Sequence, residues 1–466
     1  MVDTSPRQVA RAGGRGRLVI RRSIWVFWLL FAINTLNYLD RLIAVAVGPT
    51  IKAEFKLTDD AIGLLGSAFL LVYTLAALPV AALADRLRAR AKTISLGVAV
   101  WSIFSGLTAF VRGYGGLFAT RALVGVGEAS YSPSSVALLV NYYPPQRRAG
   151  IIGRWQVGQV LGALLAFIVA GALFAWLPAH LAWRAAFLFT ALPGLALAAL
   201  AWRMADHPDD HPDDHPDDPL DEAASDERSA EQAAQAAPAR ASMGKEARGL
   251  TRQVRSALRI PMIWFVVAMQ ALSFIVITPA ITFLPLYVRE RHGPFHLGAA
   301  HASFMLGLPL VIGGFLGAIL GGQLSDWLNR RLPGGRVVAI TIGFALAIPC
   351  YCAMLLTGSL PLFLITVTLT TFTLNLPNAA LTTIPPDVTI PALRATALAV
   401  TMLLSHLLGD IWASWAVGKL STALGERLAP AMLLVGLPAL ALGCVVSVFG
   451  ARVYARAGHS RALSEA

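Results

Sequence analysis

Long apolar runs without a charged side chain recur along most of this chain. The longest lies between Arg336 and Asp387, where 50 consecutive residues include no Asp, Glu, Lys or Arg. The hydrocarbon core of a bilayer is about 30 Å thick, and a helix crosses it with about 20 apolar residues. This run therefore predicts two membrane spans, joined by a turn at residues 357–361 that contains Gly and Pro. The chain is expected to cross a bilayer many times.

The same pattern predicts twelve membrane-spanning helices in all. They begin near residues 23, 60, 93, 115, 149, 184, 261, 299, 336, 361, 392 and 429. The composition agrees, because 14% of the residues are charged and 56% are hydrophobic, whereas soluble domains contain about 25% charged residues. The sequence has neither a phosphate-binding Gly-Lys-Ser/Thr loop nor a polar segment long enough for a nucleotide-binding domain. We therefore predict an all-α membrane protein that is not an enzyme.

The distribution of basic residues predicts the orientation of the spans. An even number of spans places both termini on one side of the membrane. If that side is the cytoplasm, 28 of the 38 Lys and Arg residues lie there and eight lie opposite, while Arg41 and Arg121 fall within spans. Cytoplasmic loops are enriched in Lys and Arg, so we expect cytoplasmic termini and a multi-pass protein of the plasma (inner) membrane. The net charge of +12 is spread over helix ends, which argues against nucleic acid as a partner.

A polar interval divides the spans into two groups of six. The predicted domains are a basic cytoplasmic tail (1–22), an N-terminal six-helix bundle (23–203), a largely disordered cytoplasmic linker (204–258), a C-terminal six-helix bundle (259–456) and a cytoplasmic tail (457–466). The linker opens with HPDDHPDDHPDD at residues 207–218, a low-complexity repeat typical of solvated disorder rather than of a metal site. Its basic end, around residues 248–259, is expected to lie along lipid headgroups.

Two loops carry a similar pattern at equivalent positions of the two halves. Residues 82–90 read ALADRLRAR between spans 2 and 3, and residues 321–331 read GGQLSDWLNRR between spans 8 and 9. Together with twelve spans and a central linker, this duplication resembles the major facilitator superfamily, whose loop signature is Gly-x-x-x-Asp-Arg followed by basic residues. Gly322 and Asp326 match that signature, whereas Ala81 replaces the glycine of the first copy. The resemblance implies two pseudo-symmetric six-helix bundles that alternate access to a site between them.

The resemblance also implies a cytoplasmic gate at these loops. A carboxylate can dock on the N-terminus of a helix in the opposite half, where unpaired N–H groups favour negative charge. Asp85 with Arg86, Arg88 and Arg90 would brace span 11, and Asp326 with Arg330 and Arg331 would brace span 5. The alternative is a simple cluster of charges at helix ends.

Four ionisable residues lie inside otherwise apolar spans of the first half. They are Asp40 and Arg41 in span 1, and Arg121 and Glu128 in span 4. A charged side chain at mid-membrane costs about 2.5 kcal/mol or more, so such residues usually face a cavity and mark an ion or proton path. Arg121 and Glu128 are seven residues apart and therefore share a helix face. The pattern predicts either a structural salt-bridge set that joins spans 1 and 4, or carboxylates that change protonation during transport.

Several motifs resemble one branch of the superfamily more narrowly, the Spinster family. They are NTLNYLDR at residues 34–41, RALVGVGEASYSPSS at 121–135, RATA at 394–397 and HLLGD at 406–410. The resemblance implies a monomeric carrier of lysophospholipids or sphingoid phosphates that uses the proton as coupling ion and no other cofactor. It assigns the proton sites to Asp40 and Glu128, with Arg41 and Arg121 as counter-charges. Span 5 departs from the resemblance, because RWQVGQVLG at residues 154–162 is more polar than expected.

Polar residues of other spans complete the predicted substrate site. The candidates for the cavity wall are Asn37, Arg154, Gln156, Asn375, Asn378, His406 and Asp410. His406 and Asp410 are four residues apart and share a helix face, and interhelical hydrogen bonding or anchoring is the alternative role for each candidate. We predict a proton-coupled transporter of an amphipathic anion, without a metal site. The alternatives are a carrier of small organic anions such as sugar acids, a drug exporter, and a channel or receptor on the same scaffold.

Overall fold

The structure is a computed structural model that describes residues 6–87, 89–206, 252–289, 295, 297–390 and 393–465. Within these ranges the described side chains lie between residues 21 and 456, except at positions 78, 81–83, 85–88, 145–146, 149 and 395. Every regular element of this described part is helical. Residues 207–251, which include the linker repeat at 207–218 and most of the predicted linker (204–258), lie outside the described residues, whereas residues 252–258 at its end form a helix.

The helices of the first half follow one another with short connections. They are α1 (Pro6–Phe55), α2 (Asp59–Leu87), α3 (Arg90–Thr108), α4 (Tyr114–Ala129), α5 (Tyr131–Tyr142), α6 (Pro145–Trp176) and α7 (Ala179–Ala201). A break at Ser130 separates α4 from α5, and the Ser130 hydroxyl donates a 2.8 Å hydrogen bond to the carbonyl oxygen of Gly127. Gly127 itself packs on α3, since a Cβ there would lie 2.6 Å from the backbone nitrogen of Trp101.

The second half repeats this arrangement after the linker. Its helices are α8 (252–258), α9 (Pro261–Tyr287), α10 (Ala299–Arg331), α11 (Gly335–Leu356), α12 (Leu360–Asn375), α13 (Pro377–Asp387), α14 (Arg394–Ser405), α15 (Ile411–Ala423) and α16 (Leu428–Glu465). A π-helical turn, His406–Asp410, connects α14 to α15 within one continuous span. Pro377 divides α12 from α13, as expected for a residue without a backbone N–H to donate.

Eleven segments of the described residues are long and apolar enough to cross a membrane. The segment 114–142 differs from the predicted spans, because α4 and α5 are short and the break at Ser130 divides them. It packs along α2 and α3 and occupies the place of the predicted fourth span. Large apolar side chains such as Leu75, Leu192 and Leu434 are exposed at the surface, which suits a protein whose outer solvent is lipid.

The two bundles contact each other mainly through α2 with α15, α6 with α10, and α1 with α9. The hydrogen bonds and ion pairs recorded between described residues of the two halves all lie at the end where α1 finishes. Lys52 Nζ lies 2.9 Å from Glu426 Oε2, and Thr422 Oγ1 donates to Asp60 Oδ1 at 3.1 Å. We call this the closed end, and define it as residues 48–63, 286–289 and 414–426.

Glycines allow backbones to meet at the closed end. A Cβ at Gly63 would lie 2.7 Å from the carbonyl carbon of Ser414, and a Cβ at Gly418 would lie 2.8 Å from that of Asp59. These distances are too short for any side chain, so α2 and α15 approach at a separation that only glycine permits. Ser421 Oγ donates a 2.6 Å hydrogen bond to Asp59 Oδ2 at the same contact. The halves are therefore sealed together at this end.

Candidate functional site

A cavity of about 430 Å³ lies between the two halves. Residues of α1, α2, α4 and α7 form one wall, and α9 with the π-helical turn forms the other. Most of the lining side chains are apolar. The polar side chains that line it are Tyr38, Arg41, Arg121, Thr278, Thr282 and Asp410. The cavity therefore combines a large apolar surface with two arginines on one wall and one carboxylate on the other.

Asp40 is buried inside the first bundle, with 1% of its surface exposed. Its Oδ1 accepts hydrogen bonds from Ser105 of α3 and, at 2.5 Å, from Thr190 Oγ1 of α7. Its Oδ2 lies 3.5 Å from Nη2 of Arg121 on α4. Arg121 also lines the cavity, whereas Asp40, Ser105 and Thr190 do not. The arginine thus connects a sealed carboxylate to the cavity surface.

Glu128 forms the equivalent pair with Arg41. The Arg41 guanidinium donates to Glu128 Oε2 from Nη2 at 2.7 Å and from Nε at 3.2 Å. The Glu128 side chain is fully buried, while 25% of the Arg41 side chain is exposed. The other carboxylate oxygen of Glu128, Oε1, has no hydrogen-bond partner among the described residues. A buried carboxylate oxygen without a donor is costly while the group is ionised.

Three aromatic rings surround Arg41. Its guanidinium carbon lies 5.3 Å from the ring centre of Tyr38, 5.1 Å from that of Phe69 and 5.0 Å from that of Tyr73. A guanidinium held among ring faces is stabilised electrostatically and keeps a fixed orientation. Tyr38 lies three residues before Arg41 in Asn-Tyr-Leu-Asp-Arg, so the sequence alone could have indicated that the two side chains meet on one helix face. Phe69 and Tyr73 lie on α2, and no sequence pattern connects them to Arg41.

The four charged residues therefore form one cluster between α1 and α4. Adjacent residues of α1, Asp40 and Arg41, each pair with one residue of α4. In both pairs the arginine lines the cavity and the carboxylate lies behind it. An anion that enters the cavity can compete with the carboxylates for the arginines. A carboxylate that loses its arginine in a buried place favours its protonated form.

The opposite wall carries a second polar group on the π-helical turn. Asp410 Oδ2 lies 2.8 Å from His406 Nδ1, and the Thr278 hydroxyl of α9 donates to Asp410 Oδ1. The Phe274 ring stacks on the His406 imidazole, with centroids 4.7 Å apart and 14° between the planes. Gly409 brings the turn against α9, since a Cβ there would lie 2.8 Å from the Ala271 Cα. Asp410 lines the cavity, and His406 does not.

The remaining predicted substrate residues do not line this cavity. Asn37 is buried and its Nδ2 has no hydrogen-bond partner among the described residues. Arg154 and Gln156 are exposed on α6. Asn375 Nδ2 donates to the Thr371 carbonyl of its own helix and Asn375 Oδ1 accepts from Asn378 Nδ2, both at 2.8 Å. The two asparagines are thus joined to each other across the α12–α13 break and do not line the cavity between the halves.

The predicted gate residues are partly described. The side chains of Asp85, Arg86 and Arg88 lie outside the described residues. The backbone N–H groups of Arg90 and Ala91 donate to the Asp206 carboxylate at 2.8 and 2.7 Å, so Asp206 caps the N-terminus of α3.

In the second loop the recorded ion pair of Asp326 stays within its own half. Arg336 lies 3.7 Å from Asp326 and 2.8 Å from Asp387. Arg330 and Arg331 are exposed, and Arg331 stacks over the Trp327 ring at 4.4 Å. The expectation that Asp326 braces span 5 is therefore not met by the ion pair of this conformation, in which the halves join at the closed end instead.

Several residues of the site carry no distinctive sequence signal. Ser105, Thr190 and Thr278 are single hydroxyls in apolar spans, where such residues usually bond to their own helix.

The described residues hold no cluster of three His, Cys, Asp or Glu side chains that could bind a metal ion.

Residues 30–414 match the Major Facilitator Superfamily. The chain is 26% identical over 419 residues to "Protein spinster" of Drosophila melanogaster, covering 88% of this chain and 64% of that protein. It is also 26% identical over 337 residues to the hexuronate transporter of Bacillus subtilis, covering 69% of this chain and 70% of that one.

Among solved structures, a bacterial homologue of the human lysosomal transporter Spinster, in an inward-facing and unoccupied conformation, has a similar fold. Its TM-score is 0.73 at 24% identity, and the superposition covers 94% of this chain and 97% of that one. The family match covers most of the chain, and the helical fold of two bundles with a cavity between them agrees with that family. The chain belongs to the Major Facilitator Superfamily and is a multi-pass membrane transporter similar to the Spinster proteins, not an enzyme.

Proposed function

We propose that this transporter moves an amphipathic anion, such as a lysophospholipid or a sphingoid-phosphate-like molecule, together with protons by alternating access. The observation that carries the proposal is the placement of Arg41 and Arg121 in an apolar cavity, each in front of a buried carboxylate.

The cavity suits a molecule with one anionic group and an apolar part. Arginine binds phosphate and carboxylate groups through paired N–H donors, and 25% of the Arg41 side chain is exposed. Side chains such as Val45, Ile62, Leu65 and Leu70 supply apolar surface next to the arginines. Burial of a hydrocarbon chain contributes roughly 0.8 kcal/mol per CH₂ group, so an amphiphile gains affinity here that a small polar anion does not.

Proton coupling follows from competition for the two arginines. When the substrate anion binds Arg41, the guanidinium is shared and the buried Glu128 carboxylate loses part of its compensation. Glu128 then takes up a proton, and its Oε1 has no competing donor among the described residues. Asp40 and Arg121 form the equivalent pair deeper in the bundle. The hydroxyl groups of Ser105 and Thr190 stabilise the Asp40 carboxyl group in both its ionised and its protonated form.

Alternating access requires the closed end to open. The distribution of basic residues assigns this end to the outside and both termini to the cytoplasm. The cavity then communicates with the cytoplasm, and outward opening breaks the contacts of Lys52, Asp59 and Asp60 with α15 and the loop after it. The distribution of basic residues also leads us to place the protein in the inner membrane. We propose that it acts as a monomer.

Transport by reconstituted protein tests the proposal. Proteoliposomes with an imposed pH gradient are expected to accumulate labelled lysophosphatidylglycerol, and Arg41→Gln is expected to reduce the rate at least tenfold. Arg184→Gln is the matched control, because Arg184 pairs with Glu54 away from the cavity. Uptake that ignores the pH gradient, or that survives Arg41→Gln in folded protein, contradicts the proposal.

A proton-coupled carrier of small organic anions is the second candidate. The similarity to the hexuronate transporter of Bacillus subtilis favours it, and arginines bind a sugar carboxylate as well as a phosphate. Sugar acids need several hydrogen-bond donors, however, and most of this cavity is apolar. Competition between glucuronate and lysophosphatidylglycerol separates the two: strong competition by glucuronate supports the second candidate.

A further inference from the structure

The wall opposite the arginines contains a titratable pair that the coupling scheme above does not use. Asp410 lines the cavity and is 6% exposed, while His406 does not line it and has about a third of its side chain exposed. The two groups are joined through His406 Nδ1 and Asp410 Oδ2 at 2.8 Å. They sit on the π-helical turn, an element that often marks functional positions in helices.

Asp410 differs from the two carboxylates of the first half in its partners. Asp40 and Glu128 each pair with an arginine, which is permanently charged. The recorded partners of Asp410 are a hydroxyl, Thr278, and an imidazole, His406. Its compensation therefore depends on the one partner that can gain or lose a proton near neutral pH.

The other charged and titratable groups that face this pair lie across the cavity. Arg41 and Arg121 line the opposite wall, and Tyr38 and Tyr73 surround Arg41. α9 faces the pair with Phe274 and Thr278, which do not titrate, and α15 continues from the turn with Ser414, which contacts Thr282. No described lysine or arginine on these two elements reaches the pair.

Protonation of His406 changes the charge that the cavity presents to an anion. With neutral His406, the lining carries two positive arginines and one negative Asp410. A proton on His406 Nε2 produces an imidazolium whose Nδ1–H still donates to Asp410, so the pair becomes neutral as a unit. The anion then meets the two arginines, each with its carboxylate behind it, without the negative charge of Asp410 on the opposite wall, and binding is favoured.

We propose that the His406–Asp410 pair is a second proton site, located in the second half, that sets the affinity of the cavity for its anionic substrate. The inference rests on the proposed function in that the substrate is an anion held by the arginines. Because coupling between two bound species is reciprocal, a proton on the pair and an anion on the arginines stabilise each other. The carrier then has proton sites in both halves.

Binding measurements on three proteins test this inference. The purified full chain in nanodiscs of zwitterionic lipid is titrated with lysophosphatidylglycerol, whose single negative charge is constant between about pH 5.5 and 8. The wild-type affinity is expected to fall roughly tenfold from the lower to the higher pH. His406→Gln is expected to bind several-fold more weakly than the wild type at the lower pH, and Asp410→Asn several-fold more tightly than the wild type at the higher pH, while the pH dependence that Glu128 contributes remains in both.

Opposite effects of two neighbouring substitutions separate a charge effect from simple disruption, since misfolding weakens binding in both variants. His301→Gln, at an exposed position on α10, is the matched control and is expected to follow the wild type. Full pH dependence in His406→Gln, or weak binding by Asp410→Asn at the higher pH in folded protein, overturns the inference.

The same titration with glucuronate distinguishes this inference from the proposed function. Binding of glucuronate but not of the lysolipid contradicts the lipid assignment. The role of the His406–Asp410 pair is then tested by the pH dependence of glucuronate affinity, which is expected to change in the two variants as described for the lysolipid. Binding of neither anion at either pH overturns both. Substrate-driven proton flux that is lost in Glu128→Gln but kept in His406→Gln supports the first-half coupling site and leaves affinity control to the pair.

Discussion

Arg41 and Glu128 form a 2.7 Å ion pair in which the arginine faces the cavity and the carboxylate is sealed behind it. A substrate anion in the cavity and the Glu128 carboxylate therefore contact the same guanidinium from opposite sides. This arrangement makes the substrate anion and the ionised Glu128 carboxylate alternative partners of one guanidinium, so substrate binding and protonation of Glu128 accompany each other. It yields separate expectations for transport that is driven by protons and for transport that is not.

Glu128→Gln is expected to abolish accumulation driven by a pH gradient while it preserves exchange of substrate across the membrane. The amide cannot ionise, so the cycle runs without a proton, but Arg41 remains available to the anion. We expect concentrative uptake to fall at least tenfold and counterflow of labelled lysophosphatidylglycerol to stay within about twofold of the wild type. Equal loss of both activities in folded protein would contradict the coupling role.

Thr190→Val is expected to destabilise the protein by about 1–3 kcal/mol, because it removes a hydroxyl that donates to the buried Asp40 carboxylate at 2.5 Å. The measurement is thermal or denaturant unfolding in detergent. Thr383→Val serves as the control, since Thr383 is exposed and its hydroxyl donates only to carbonyls of its own helix. A similar loss of unfolding free energy in both variants would show that the hydrogen bond to Asp40 contributes no more to stability than an exposed hydroxyl does.

Gly63→Ala is expected to hold the closed end open. The new methyl group would collide with the Ser414 backbone of α15, so the two halves must separate. Spin labels on cysteines placed at Ala53 and Ala423, in a background without the three native cysteines, report the separation by electron–electron distance measurement. Gly66→Ala lies one turn away, where a Cβ meets nothing within 4 Å, and is expected to leave the distance distribution unchanged. Identical distributions in both variants would refute the steric seal.

Asp206→Ala is expected to weaken α3 by about 0.5–2 kcal/mol, the usual range for loss of a cap. The two carboxylate oxygens of Asp206 accept from the Arg90 and Ala91 N–H groups, and the methyl group that replaces the side chain accepts from neither. Hydrogen exchange at the first turn of α3 is the measurement. Faster exchange restricted to residues 90–93 fits the prediction, whereas unchanged exchange there would argue against the cap.

Much of the architecture could be predicted from the sequence because lipid constrains it so strongly. Charge-free runs located the spans, and the cost of an intramembrane charge singled out Asp40, Arg41, Arg121 and Glu128, which the structure places together. The break at Ser130 was not predicted, although Pro133 cannot donate a backbone N–H to the carbonyl oxygen of Ala129 and therefore disfavours a continuous helix there.

Contacts between distant residues were the harder part. The sequence could place Asp326 in a duplicated loop but could not choose its partner, because the choice depends on which end of the molecule is closed; the recorded partner is Arg336. Likewise, Arg154 and Gln156 stand out as polar residues in span 5, yet they are exposed and do not line the cavity between the halves.

The surroundings of Asp40 bear on how the protein moves. One carboxylate of α1 is held by groups from α3, α4 and α7. If any of these helices slid against the others, a negative charge would be stranded in a medium of low dielectric constant. While Asp40 is ionised, α1, α3, α4 and α7 are therefore expected to tilt as a single rigid body, and the flexibility of the cycle is expected to come from hinges outside them.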